Sequence, residues 1–313
     1  MSDNPPIEFA FPDLGRWEKG DAPYIHVRDS GKPGPTVMVA ALTHGNEVSG
    51  GIVVDDLLAS GLKPRRGTLI FSFNNIEAYQ RFDASNPFKS RMIDEDFNRT
   101  WGRLEQPATT LETRRAQVVR PYVERADFLL DLHSMHDDCV PLMLCGPLDR
   151  GVALAKKLGA PADIVRDRGH AAGMRMRDYG AFGDPKSSKT ALLIETGQHW
   201  RASSVVVAKD VTVRFLVATG IVEEADLPAS WKQPTPSGQR IVQVTHAVST
   251  KRGNFVSARR FEGQEVIAKA GTVLGHADGE PVTTPYDNCV LVMPSINRPL
   301  RAGVTVVRLG RLI

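Results

Sequence analysis

Between Gly34 and Val222, short apolar runs alternate with stretches of helical spacing. Thr36–Leu42, Gly67–Phe73, Phe128–Leu132, Pro141–Cys145 and Ala191–Glu195 read as buried strands. Ser49–Ser60 and Ser203–Thr219 carry apolar residues at helical spacing. A third helix is predicted to open at Thr109-x-x-Glu112, which has capping-box spacing, and to run toward Arg125. Pro121 is expected to bend or split it. Strand–helix alternation of this kind predicts an α/β fold, a mainly parallel sheet flanked by helices. The pattern then changes. Glu224–Gln239 contains Pro228, Pro234 and Pro236 among small polar residues and reads as a linker. Beyond it Arg240–Val248, Glu265–Ala268, Thr272–Gly275, Val290–Met293 and Val304–Leu309 read as short strands between turns. The expected organisation is an α/β domain over residues 1–225 and a smaller all-β domain over residues 240–313.

Composition narrows the classes of function. The chain is 42% hydrophobic and 24% charged, ordinary for a globular protein. Thirty-nine basic and thirty-six acidic side chains leave a formal charge of +3 without a basic run, so nucleic acid and anionic membrane are not expected partners. No apolar stretch has the length of a bilayer span, and the polar start Met1–Pro6 lacks a secretory pattern. Cys139, Cys145 and Cys289 lie in or beside apolar runs and read as reduced thiols of a cytoplasmic protein. Homo-oligomerisation is left open.

The chemistry gathers at the ends of the predicted strands, where open α/β sheets collect ligand groups. His44-Gly-Asn-Glu47 follows the first strand, and Asp131-Leu-His133 ends the third. His44, Glu47 and His133 form a two-histidine, one-carboxylate set, the protein share of a catalytic zinc whose fourth position belongs to water. Asp131 is a candidate for orienting a ligand histidine. Arg91 and the pair Asn98-Arg99 lie in a long segment after the second strand. Their forked and amide donors suit a carboxylate, whereas Asp94, Glu95 and Asp96 could equally neutralise them in a solvated loop. Glu195 ends the apolar run Ala191–Glu195, where burial demands either a core ion pair or a chemical use as proton carrier beside the metal.

Taken in order, His44-Gly-Asn-Glu47, Arg91 with Asn98-Arg99, Asp131-Leu-His133 and Ile194-Glu195-Thr-Gly197 resemble the succinylglutamate desuccinylase and aspartoacylase family, a branch of the zinc carboxypeptidase fold. The resemblance covers roughly residues 34–200. It implies one zinc ion per chain on His44, Glu47 and His133, and Glu195 as general base and then acid. It also implies Arg91 at the oxyanion and Asn98 and Arg99 on a substrate carboxylate. Where aspartoacylase carries a further arginine before its glutamate, Asp184–Thr190 offers only Lys186 and Lys189, so specificity for N-acetylaspartate is not expected. Arg177 and Tyr179, in a glycine-flanked loop, are candidate substrate contacts or ordinary surface residues. Tyr286 is a candidate residue at the mouth, and His136 and His199 are left off the metal set. The expected function is hydrolysis of the amide bond of a small N-acyl amino acid. The alternatives are a carboxypeptidase or ester hydrolase on the same zinc site, and a non-catalytic zinc-binding protein.

Overall fold

The computed structural model describes residues 5–169, 172–295 and 302–313. In chain order it contains β1 (Ile25–Asp29), β2 (Thr36–Ala41), α1 (Val48–Ala59), β3 (Thr68–Phe73), α2 (Ile76–Gln80), α3 (Leu111–Arg125), β4 (Phe128–Met135) and β5 (Leu142–Leu144). These are followed by α4 (Asp149–Leu158), β6 (Asp163–Arg166), β7 (Thr190–Gln198), α5 (Ala202–Thr219) and β8 (Arg240–Ser249). The rest is all strand: β9 (Phe255–Ser257), β10 (Val266–Ile267), β11 (Val273–Ala277), β12 (Glu280–Thr283), β13 (Cys289–Val292) and β14 (Thr305–Leu312).

The five runs read as strands in the α/β region are β2, β3, β4, β5 and β7. They are apolar on both faces because both faces are covered, as parallel sheets require. Val37, Val39, Leu130, Leu132, Leu192 and Ile194 pack against α1, α4 and α5. The alternate residues Met38, Ala40, Leu129 and Ala191 pack against α3 and the turns around Met176 and Phe182. The central strands run β3-β2-β4-β7 and all pair in parallel. β1 and β5 pair antiparallel to β3 and β7, so the sheet is mixed but mainly parallel.

Two local expectations need correction. α3 is not broken at Pro121; it runs from Leu111 through Arg125 with the proline inside. Pro121 is exposed, so its ring faces solvent and water can serve the carbonyl it leaves unbonded. The helix cap is also one residue later than the spacing suggested: Thr110 accepts from the Thr113 amide in a capping box. Glu112 is thereby turned inward and fully buried. It accepts from Asn75 Nδ2 at 3.2 Å and from the amides of Ile93 (2.7 Å), Asp94 (3.1 Å) and Glu95 (3.3 Å). A helix start therefore anchors the segment that carries Arg91, Asn98 and Arg99.

The β-rich C-terminal region joins the first sheet. β6 pairs in parallel with β8, and β14, β13 and β10 follow, giving an eleven-strand sheet among the described residues. Only β9, β11 and β12 form a separate small antiparallel sheet. Gly263, just before β10, abuts Cys139 in the β4–β5 connection so closely that a side chain there would overlap the Cys139 sulfur. The segment before β10 thus packs against the chain that leaves the end of β4. No helix among the described residues is long and apolar enough to cross a membrane.

Two predictions follow from this packing. Gly45 donates its amide to Arg91 O, and a Cβ there would run into the backbone of Ala78, Tyr79 and Ser90. Gly45→Ala is expected to cost about 1–3 kcal/mol in chemical denaturation, an overpacking penalty with no room for relaxation; unchanged stability would contradict this packing. The three cysteines are unpaired, and burial pushes the Cys139 and Cys145 thiols up to about 12. Iodoacetamide at pH 8 should leave both unmodified in the folded protein and label them after unfolding, as mass spectrometry would show.

Candidate metal centre

The centre is assembled by two neighbouring parallel strands. β2 leaves the sheet through Leu42, a fully buried residue held at φ 55°, a left-handed conformation that costs a bulky side chain energy and is retained only by tight surroundings. The turn that follows presents His44, and Glu47 stands at the N-cap of α1, where the exposed amides of the first turn favour negative charge. β4 lies beside β2 with Ala40 opposite Asp131, which brings His133 alongside that turn. β7 lies on the other side of β4 with Glu195 directly opposite His133.

His44, Glu47 and His133 are all buried, and one donor atom from each lies within 4.8 Å of the others. Glu47 stands between the histidines: Oε1 is 2.7 Å from His44 Nδ1 and Oε2 is 2.8 Å from His133 Nδ1. The far nitrogens face other carboxylates. His44 Nε2 is 2.9 Å from Asp96 Oδ1, and His133 Nε2 is 2.8 Å from Asp131 Oδ2. Outer carboxylates of this kind fix ring orientation and raise the basicity of the inner nitrogen. Thr43 Oγ1 in turn donates to Asp131 Oδ1 at 2.7 Å. Two histidines and one carboxylate without a fourth ligand in the group suit a divalent metal that keeps one position open.

The electrostatics agree. Burial pushes the Glu47 carboxyl upward, but His44 and His133 together hold it well below the usual carboxylate range. The Ser134 amide adds a hydrogen bond to Oε2 at 3.2 Å. Burial works against charge on His133 too, yet Asp131 and Glu47 overcome it and raise its proton affinity well above the ordinary value. Glu195 behaves differently. Its Oε2 is buried without a hydrogen-bond partner. Burial, aided by the nearby Glu47 charge, outweighs the pull of His133 and Arg91 and pushes it up to about 8.

The other residues singled out in the sequence fall into two groups. Arg91 reaches the centre: Nη1 donates to Glu47 Oε1 at 3.0 Å, and Nη2 donates to Asp96 Oδ2 at 3.1 Å. Asn98 and Arg99 lie in the single turn Phe97–Arg99, capped by Asp96. Asn98 Nδ2 is 3.4 Å from His133 Nε2, and its Oδ1 accepts from the Met176 amide at 2.8 Å. Arg99 donates only to its neighbour's carbonyl, Asn98 O, at 2.7 Å.

Arg177, Tyr179 and Tyr286 are not brought to the centre by any contact. Arg177 is buried with Nη2 on Asp167 and Asp178. The Tyr179 hydroxyl donates to Glu124 in the last turn of α3, below the strands' opposite ends. Tyr286 bonds Thr245 and stacks under Arg311 within the C-terminal strands. His136 stacks on Phe88. His199 is buried on Ser134 Oγ, and burial pushes its pKa down to about 3, which keeps it neutral.

Asp96, which the sequence offers only as a neutraliser of arginines, also contacts His44, a pairing that spacing does not reveal. Of its acidic neighbours, Glu95 pairs with Arg103 and Asp94 accepts from the first amide of α3.

Comparison with known proteins accords with this geometry. A family model described as the succinylglutamate desuccinylase/aspartoacylase catalytic domain matches residues 33–215. No curated protein matches the sequence significantly. Among solved structures, a succinylglutamate desuccinylase/aspartoacylase from Rhodobacter sphaeroides is 20% identical, with 92% of this chain and 88% of that one covered at a TM-score of 0.64. Succinylglutamate desuccinylase of Vibrio parahaemolyticus is 14% identical over 90% and 82%, with a TM-score of 0.65. The product-bound ectoine utilization protein EutE (DoeB) of Ruegeria pomeroyi is 18% identical over 91% and 88%, at 0.63. These likenesses establish the fold, and because the family model spans more than half of the sequence, the chain belongs to the succinylglutamate desuccinylase/aspartoacylase family.

Proposed function

We propose that this protein is a zinc-dependent hydrolase of the amide bond in a small N-acyl amino acid. The observation that carries the reading is Glu195, a half-buried carboxylate with one buried, unpaired oxygen, set in strand register beside a histidine of a three-ligand metal group. Residues 1–225 would form the catalytic unit and residues 240–313 its cover.

His44, Glu47 and His133 would hold the ion, with Asp96 and Asp131 fixing the two imidazoles. Zinc held there would polarise the scissile carbonyl and lower the pKa of water toward neutrality. Glu195 takes a proton from the attacking water and returns it to the departing nitrogen, a role that suits a carboxylate whose proton affinity burial has raised. Arg91, whose side chain is 34% exposed beside Glu47, supports the negative charge that grows on the carbonyl oxygen. Asn98 and Arg99 orient the substrate by its carboxylate. The Arg99 fork is nearly free of protein partners, which leaves it available for a bidentate contact.

The test is metal content of the purified protein together with hydrolysis of a pooled N-acyl amino acid library, read by mass spectrometry. About one zinc per chain and consumption of one substrate class are expected. Cleavage of a tripeptide's last bond instead would turn the reading to a carboxypeptidase, and absence of zinc after supplementation would sink it. Glu195→Gln is expected to lower kcat by about two to four powers of ten while zinc is retained. Asp131→Ala should weaken zinc binding by about 10- to 100-fold, measured by competition with a chelator.

A further inference from the structure

β4 and β7 lose their regular ladder just beyond the pair that carries the chemistry. Glu195 stands opposite His133, but the next matched pair is Met135 with Gln198, so Thr196 and Gly197 together face Ser134. This is a bulge of one residue on β7, a feature that re-aims side chains beside active sites. Gly197 takes φ 110° there, a conformation that a side chain would disfavour. Pairing resumes beyond it, with the His199 amide on Met135 O at 2.9 Å. The carboxylate just before the bulge has little else to hold it. Glu195 Oε2 has no hydrogen-bond partner, and no ion pair reaches the side chain among the described residues. Its place relative to the metal group is therefore set by its backbone.

One side chain ties that backbone down. Thr196 follows Glu195 and is buried on the α1 side of the sheet, where it meets Ser49. Its Oγ1 donates to His133 O at 2.9 Å, across the interruption in the ladder. With that proton committed to a carbonyl, the 3.1 Å contact between Ser49 Oγ and Thr196 Oγ1 has Ser49 as its donor. Ser49 is equally buried and lies in the first turn of α1, two residues after Glu47. Helix and sheet meet closely here: a Cβ on Gly50 would come within 2.6 Å of the Leu132 Cβ. The relay from Ser49 through Thr196 to His133 O thus joins the elements that carry Glu47, Glu195 and His133.

We propose that Thr196 is a positioning residue: its hydroxyl, braced by Ser49, fixes the bulge and with it the aim of Glu195 at the metal centre. The inference rests on the proposed function for the role of Glu195 as proton carrier. A methyl group in place of the hydroxyl frees the bulge to shift but leaves the metal ligands and their outer carboxylates in place. What moves is the group that acts on water, and a displacement of about 1 Å at such a group costs about 100-fold in rate. Substrate binding by Asn98 and Arg99 does not pass through β7, so the loss falls on kcat and not on KM.

The experiment is a double-mutant cycle. Thr196→Val, the near-isostere without a hydroxyl, is measured alone and in a Glu195→Gln background. The assay uses whichever N-acyl, ester or peptide substrate the zinc-loaded wild-type protein cleaves. Alone, Thr196→Val is expected to lower kcat by about 10- to 100-fold with KM within about threefold. Zinc affinity, measured by competition with a chelator, should also stay within about threefold, because the outer carboxylates that govern it are untouched. In the Glu195→Gln background the same substitution should cost less than about threefold in kcat, since nothing is left to position. Thr196→Ser, which keeps the hydroxyl, should return kcat to within about threefold of wild type. If the valine variant does not fold, Ser49→Ala is put through the same cycle, with an expected loss of about 3- to 10-fold that again vanishes without Glu195. An undiminished kcat, an equal loss in both backgrounds, a serine variant as slow as the valine one, or a loss of zinc affinity large enough to explain the lost activity overturns the proposal. A wild-type protein that cleaves none of the substrates sinks the proposed function and this inference together, whereas turnover without the expected coupling sinks this inference alone.

Discussion

Glu47 is a charged carboxylate that is 2% exposed, and much of the surrounding architecture exists to make that state affordable. Removing such a group from water without compensation would cost more than a small domain can spare. Compensation comes from separate elements: His44 through a local turn, His133 and the Ser134 amide from β4, and Arg91 from a long connection. Only a sheet with β2 and β4 as parallel neighbours delivers them to one point. The concentrated charge is also what makes the location suitable for a divalent cation, which would take the place of a proton shared among these groups.

The connection between α2 and α3 shows how such a site is kept in shape without regular structure. Glu112, at the entrance of α3, collects the amides of residues 93–95 as a ligand would. Asp96 then caps the next turn and reaches His44, and Asn98 ties that turn to Met176. Carboxylates and amides here replace the ladder hydrogen bonds that a strand would supply.

Much of this was legible in the chain. The strands that carry His133 and Glu195 are continuous apolar runs, and burial on both faces leaves such runs few alternatives. The metal set followed from residue type and position after a strand. Less visible were elements whose identity depends on tertiary partners. β6 is four residues long, and β1 and β12 mix polar and apolar positions without strong alternation. The cap at Thr110 instead of Thr109 turned on whether Glu112 served its own helix or a distant loop, and spacing does not record that choice. The seam between the two halves was likewise hidden. Glu224–Gln239 has the composition of a linker, yet β8 immediately after it pairs with β6.

That pairing has a consequence for how the molecule could be divided or recombined. β6 is an interior strand only because β8 lies against it. A chain cut near residue 230 would expose a row of unpaired amides and carbonyls along β6, beside apolar residues such as Ile164 and Val165. Raw edges of this kind seed association between copies. The C-terminal segment therefore covers an edge that the preceding strands would otherwise leave bare. An exchange of this segment between relatives would succeed only where the incoming strand keeps the register of β8.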